Sequence, residues 1–211
     1  MKNIITLAVA AALSLSLASA FASQSEGGFS IGVKGGYNNM DLPTSEGTVG
    51  DFTLTGKKDK MVGDLHMAYL WPVADVFQLG AQLGYSYYGK YTLTETAPET
   101  GSTDNKITAF NLQLLGQWNI QQWFVQGRVG AGYFHQSNAG NSADDSTDSS
   151  NKIAPIAGLS GGYFFTDNFS AEVFVDHVFG KNYSSMSDFS SSSTNKPPVM
   201  TSAGLGVTYS F

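Results

Sequence analysis

The sequence predicts an all-β protein, an eight-stranded antiparallel up-and-down transmembrane β-barrel. Three observations carry that expectation. Apolar residues alternate with small or polar ones at period two in segment after segment, which gives strands with one oily and one polar face. Only 13% of the residues are Asp, Glu, Lys or Arg, against about a quarter in a soluble domain, so lipid is the candidate solvent for the remaining surface. Short turns and long polar stretches join the alternating segments in turn, which is up-and-down barrel connectivity. Such a sheet has to close, because edge amides in lipid have no water to bond.

At the start, Lys2 precedes an apolar run from Ile4 to Leu17 and then small residues, the three regions of a secretory signal. Ala18-Ser19-Ala20 and Ala20-Phe21-Ala22 compete as cleavage sites. Cleavage after Ala22 is expected, dividing the chain into a signal at 1–22 and one barrel domain at 23–211. The run is too short for a membrane helix, and no later stretch is long enough.

The first strand alternates Phe29, Ile31, Val33, Gly35 and Tyr37 with Ser30, Gly32, Lys34 and Gly36, and a polar loop is expected from Asn38 to Lys60. Leu65, Met67, Tyr69 and Trp71 against Asp64 and His66 make the second, ended by Pro72, which cannot donate to a ladder. The third sets Phe77, Leu79, Leu83, Tyr85 and Tyr87 against Gln78, Gln82 and Ser86, with a loop expected over 89–105. Phe110, Leu112, Leu114 and Trp118 alternate with Asn111, Gln113 and Gln117, and a tight turn leads to Trp123, Val125, Val129 and Tyr133 opposite Gln126 and Arg128. An acidic, serine-rich loop is expected over 136–151. Ile153, Pro155, Ala157, Leu159, Tyr163 and Phe165 follow, with Pro155 expected near a strand start or bulge. Phe169, Val173, Val175, His177 and Phe179 alternate with Ser170, Glu172, Phe174 and Asp176, and a last polar loop over 182–196 precedes the final strand. Aromatics gather near the short turns and again toward the loops, where membrane interfaces would fall.

The final strand alternates Ala203, Leu205, Val207, Tyr209 and Phe211 with Ser202, Gly204, Gly206, Thr208 and Ser210. This ending resembles the assembly signal of bacterial outer-membrane barrels, with Ser202, Gly204, Val207 and Tyr209 at its polar, glycine, hydrophobic and aromatic positions and Phe211 closing it. Together the strands resemble the small OmpA/OmpX-type outer-membrane barrel family over essentially the whole mature chain. That resemblance implies export through the periplasm to the bacterial outer membrane and contact with outer-membrane lipid and lipopolysaccharide. It also implies recognition of the last strand by the barrel-assembly machinery, and a monomer without a cofactor. Phe211 leaves no room for a peptidoglycan-binding domain, so cell-wall anchoring is not expected.

Lys34, Asp64, His66, Arg128, Glu172 and Asp176 all fall on polar faces, where a narrow barrel would pair them in its lumen as a structural network. Arg128 is expected to pair with Glu172 across the lumen, with Asp64 and Asp176 elsewhere along the axis. No catalytic set emerges. His177 lacks the neighbouring serine of outer-membrane lipid deacylases, while His66 with Asp64 and His135 with Ser137 each lack a third member. Asp144, Asp145 and Asp148 lack the glycine and terminal glutamate of a calcium loop, so no metal site is expected. Cysteine is absent, which removes thiolate chemistry. A net charge of −6 with no run of Lys or Arg argues against nucleic acid. The expected function is non-enzymatic, with four long extracellular loops displayed for surface interaction or envelope integrity. The alternatives are a small pore for ions or hydrophobic solutes and, behind it, a lipid-modifying enzyme.

Overall fold

A computed structural model describes residues 27–41, 47–49, 52–95, 101–140, 148–182 and 197–211. The expected signal and its candidate cleavage sites lie outside them. Ten strands are present: β1 (Gly28–Met40), β2 (Gly47–Val49), β3 (Phe52–Lys58), β4 (Met61–Ala74), β5 (Phe77–Glu95), β6 (Gly101–Ile120), β7 (Trp123–Gly140), β8 (Asp148–Phe164), β9 (Phe169–Val178) and β10 (Met200–Ser210). Eight of them form a closed ring, in which each of β4 to β9 pairs antiparallel with the next and β1 joins β4 to β10. The remaining two are accessory. β2 forms a hairpin with β3, and β3 prolongs β4 by pairing with the far end of β5.

Side-chain alternation decides what each face meets. Along β1, Ser30, Gly32, Lys34, Asn38 and Met40 are buried while Phe29, Ile31, Val33 and Tyr37 are exposed. A large exposed apolar surface recurs around the ring, including Leu65, Leu83, Leu114, Val129, Leu159, Val175 and Leu205. In water such a surface would be an aggregation liability; in a bilayer it is the solvated face. Edge-to-face ring pairs band the short-turn end, with Phe29–Tyr69 at 4.7 Å, Trp123–Tyr163 at 4.9 Å and Tyr209–Phe211 at 5.1 Å. Tyr37, Tyr85, Phe110, Tyr133 and Phe179 form the opposite rim.

The strands run further than their apolar stretches. β5 to β8 continue through most of the polar segments expected as loops over 89–105 and 136–151, and β2 and β3 occupy part of 38–60. Backbone pairing above the membrane needs no oily face, so apolar periodicity underestimates strand length there. A bulge between Tyr87 and Gly89, where Gly89 has a φ of +101°, shifts the β5–β6 register at the base of this extension. A Cβ there would stand 2.6 Å from the Asp59 carbonyl, which adds a spatial reason for glycine. Pro155 lies inside β8 opposite Ala131, with no register shift. It is tolerated because the β8–β9 ladder begins only at Ile156, and its carbonyl accepts from the Phe179 N–H at 3.0 Å.

Candidate functional site

The barrel interior is stratified along its axis. At the short-turn end an amide ladder crosses from β5 to β7. Gln126 donates to Gln117 at 2.9 Å, and Gln117 donates to Gln78 at 3.3 Å and to Asn119 at 2.9 Å. Gln82 donates to Gln113 at 3.2 Å beside it. Gln78, Gln82, Gln113 and Gln117 are buried and Gln126 is half-buried, so they are wall-packing groups bonded to one another rather than the lining of a wide watery bore.

Next along the axis come the charges. Arg128, on β7, is 1% exposed. Its Nη2 donates to Asp176 Oδ1 at 2.9 Å, and its Nη1 donates to Ser160 at 3.0 Å and Gln126 at 3.1 Å, with Glu172 Oε2 at 3.5 Å. Lys34 reaches the other Glu172 oxygen at 3.4 Å, so Glu172 bridges two cations. Asp176 is therefore the closer partner of Arg128, and the expectation that it lies elsewhere along the axis is corrected. The guanidinium is long enough to serve both carboxylates, which are four residues apart on the inner face of β9. Two interior glycines make the space. A Cβ on Gly158, between Arg128 and Asp176 in register, would fall 1.8 Å from the Asp176 carboxylate, and one on Gly206 would sit 3.0 Å from Glu172.

A second cluster lies on β4 to β6. Asp64 Oδ1 is hydrogen-bonded to His66 Nδ1 at 2.8 Å, Ser86 donates to Asp64 Oδ2 at 2.6 Å, and Asn111 donates to Ser86 at 2.6 Å. Ser86 and His66 both bind the aspartate and not each other, so Ser86 is not paired with His66 as a nucleophile with its base. His135 and His177 sit on the outer face, bonded to Asn151 and Thr201, respectively. Among the described residues no group of three His, Cys, Asp or Glu is placed to hold a metal ion; Asp144 and Asp145 lie outside them.

Toward the long-connection end the lumen turns apolar. Met40, Val62, Tyr88, Ile107, Phe134, Ile156, Val178 and Met200 pack there as one buried cluster. Sequence reading missed this layer, because each strand contributes only one or two such residues to a face that is otherwise polar. Inward apolar residues such as Met40, Tyr88 and Met200, each two residues from an inward polar one (Asn38, Ser86 and Ser202), were the available signal. On β10, Ser202 is buried and donates to Asn38 at 3.1 Å, Gly204 lies against the backbone of Gly35, and Val207, Tyr209 and Phe211 face outward.

A family model described as the OmpA-like transmembrane domain matches residues 24–211. Comparison with curated proteins finds no match. Among solved structures, the attachment invasion locus protein Ail of Yersinia pestis is similar with a TM-score of 0.55 at 14% identity, covering 89% of this chain and 99% of Ail. Neisserial surface protein A is similar with a TM-score of 0.53 at 13% identity, covering 87% of this chain and 97% of that one. Ail in complex with the heparin analogue sucrose octasulfate gives 0.51 at 14% identity, covering 88% and 99%. At these identities the likeness is one of fold.

Proposed function

The chain belongs to the OmpA-like transmembrane domain family, and from that premise we propose that it is a non-enzymatic barrel of the bacterial outer membrane whose long-connection end faces the exterior as an interaction surface. The observation that carries this reading is the division of the molecule. Among the described residues the interior holds paired charges, amides and an apolar stopper, while β2, β3 and the far ends of β5 to β8 extend the wall beyond it at the long-connection end. Display is then what the scaffold has left to do. Ail's complex with a heparin analogue supports a polyanionic saccharide as one class to screen. The last strand, through Ser202, Gly204, Val207, Tyr209 and Phe211, is the proposed assembly signal for the barrel-assembly machinery, and the working unit is a monomer.

The test is adhesion. Cells displaying the chain should bind immobilised matrix proteins or sulfated saccharides more than cells lacking it, or resist envelope stress better, and removing residues 141–147 or 183–196 should reduce the gain. Equal behaviour of all strains in every assay would defeat the proposal.

A further inference from the structure

Asn111 points into the lumen from β6, and its neighbours fix which way its amide is turned. Ser86 has one proton, which it donates to Asp64 Oδ2 at 2.6 Å, so toward Asn111 it can only accept. Asn111 Nδ2 is the donor that meets it, also at 2.6 Å. That turns Oδ1 toward Gly132 of β7, where a Cβ would stand 2.7 Å from it. Among the described residues this oxygen is buried without a hydrogen-bond partner, on a side chain that is itself 5% exposed. A buried acceptor left unmet is costly, so the position calls for a ligand that brings positive charge or a proton to it.

Asn111 lines a cavity of about 20 Å³ together with Lys34, Asp64, Ser86, Asp176 and Ser202, and Val62, Tyr88 and Ile156 of the apolar cluster bound it. That is room for one water-sized body. The charges around it do not balance. Lys34 and Arg128 bring two positive charges, while Asp64, Glu172 and Asp176 bring three negative ones, which leaves −1 with His66 neutral. Both cations are already engaged. Arg128 holds Asp176 at 2.9 Å, and Lys34 reaches Glu172 at 3.4 Å with its ammonium 5.5 Å from the centre of the Phe174 ring. Neither forms an ion pair with Asp64.

The geometry points to a binding site for a single desolvated alkali cation in this cavity, held by Asn111 Oδ1 with Asp64 and Asp176 as its countercharges. A water molecule would suit the volume and the acceptor but would leave one negative charge unbalanced inside a wall surrounded by lipid. Oxygen groups without thiolate or free imidazole suit a hard cation. Magnesium, which keeps several of its waters, is too large for the space. Because the apolar cluster closes the lumen beyond it, the cation sits at a terminal site and does not pass through. The inference concerns the lumen alone, so failed adhesion assays would leave it standing.

The experiment reads unfolding. The whole mature chain, refolded into phosphatidylcholine vesicles, is titrated with urea in sodium, potassium or N-methyl-D-glucamine chloride at one ionic strength, the last cation being too large for the cavity. A ligand bound only by the folded state lowers the unfolding constant by 1 + [M⁺]/Kd, so an alkali salt at ten times its Kd should lower it about tenfold relative to the organic salt. Asn111→Asp, nearly equal in volume and one charge more negative, should enlarge that ratio, and Asn111→Leu should remove it. Heat-modifiable gel mobility establishes that each variant is folded. If neither is, thallium(I) in crystals of the unsubstituted barrel decides, with an anomalous peak expected beside Asn111. Equal unfolding constants in all three salts would overturn the proposal and assign the cavity to water. So would an alkali effect that survives Asn111→Leu undiminished, or thallium bound only at surface carboxylates.

Discussion

Arg128 shows how much one side chain decides inside a narrow barrel. It donates to Asp176, Ser160 and Gln126 and is ion-paired with Glu172, and burial leaves it no water to fall back on. Arg128→Ala should therefore destabilise by about 3–5 kcal/mol in urea titrations of lipid-reconstituted protein, less where water enters the space vacated. A double-mutant cycle should show coupling of Arg128 to Asp176 larger than its coupling to Glu172, because the first contact is 2.9 Å and the second 3.5 Å. Additive losses for Arg128 and Asp176 would mean that the two do not pair in the bilayer. Gly158→Ala offers an independent probe: its Cβ would collide with the Asp176 carboxylate, so it should cost about as much as an overpacked core position, 1–3 kcal/mol.

Strand faces and strand ends set the next scale. Leu83 and Val129 point to lipid near mid-wall, so an Arg at either should cost about 2–4 kcal/mol. Gln113, one strand over and facing inward, is not the mild position that a watery lumen would make it. Gln113→Ala removes the acceptor for Gln82 in a buried site and should cost about 1–3 kcal/mol in the same titration. Above the rim, Lys90 and Thr92 of β5 hold the Asp104 carboxyl of β6 below the usual carboxylate range, the Lys90 hydrogen bond being the larger cause. A carboxyl with a depressed folded pKa contributes stability that is full above its unfolded value, about 3.9, and is lost as pH falls through the folded one. Amide exchange in the β5–β6 extension should accelerate in that acid window, and Asp104→Asn should flatten the dependence. The acidic loop expected over 136–151 contracts in the same way. Residues 141–147 should be removable with retention of a heat-modifiable barrel, whereas excising 136–151 removes paired residues, including Gln136 bonded to Asn105, and should impair assembly.

At the scale of the molecule, the apolar cluster and the charge layer stand in series across one lumen. Ions would have to desolvate past Phe134, Tyr88 and Met200 after crossing the Lys34–Glu172–Arg128 bridge. Planar-bilayer recordings of the refolded protein should accordingly show no stepwise current. Reproducible unitary conductance would revive the pore reading and imply that the stopper moves.

Sequence alone determined the ring. Strand number, antiparallel order, the lipid face and the identity of the inward charges follow from period-two alternation, because every residue of a membrane strand must choose between lipid and lumen and its chemistry declares the choice. Register and reach were beyond it. Whether Arg128 meets Glu172 or Asp176 depends on side-chain length and on the space cleared by Gly158 and Gly206, which alternation does not encode. The extension beyond the membrane was hidden because backbone pairing in water needs no oily face.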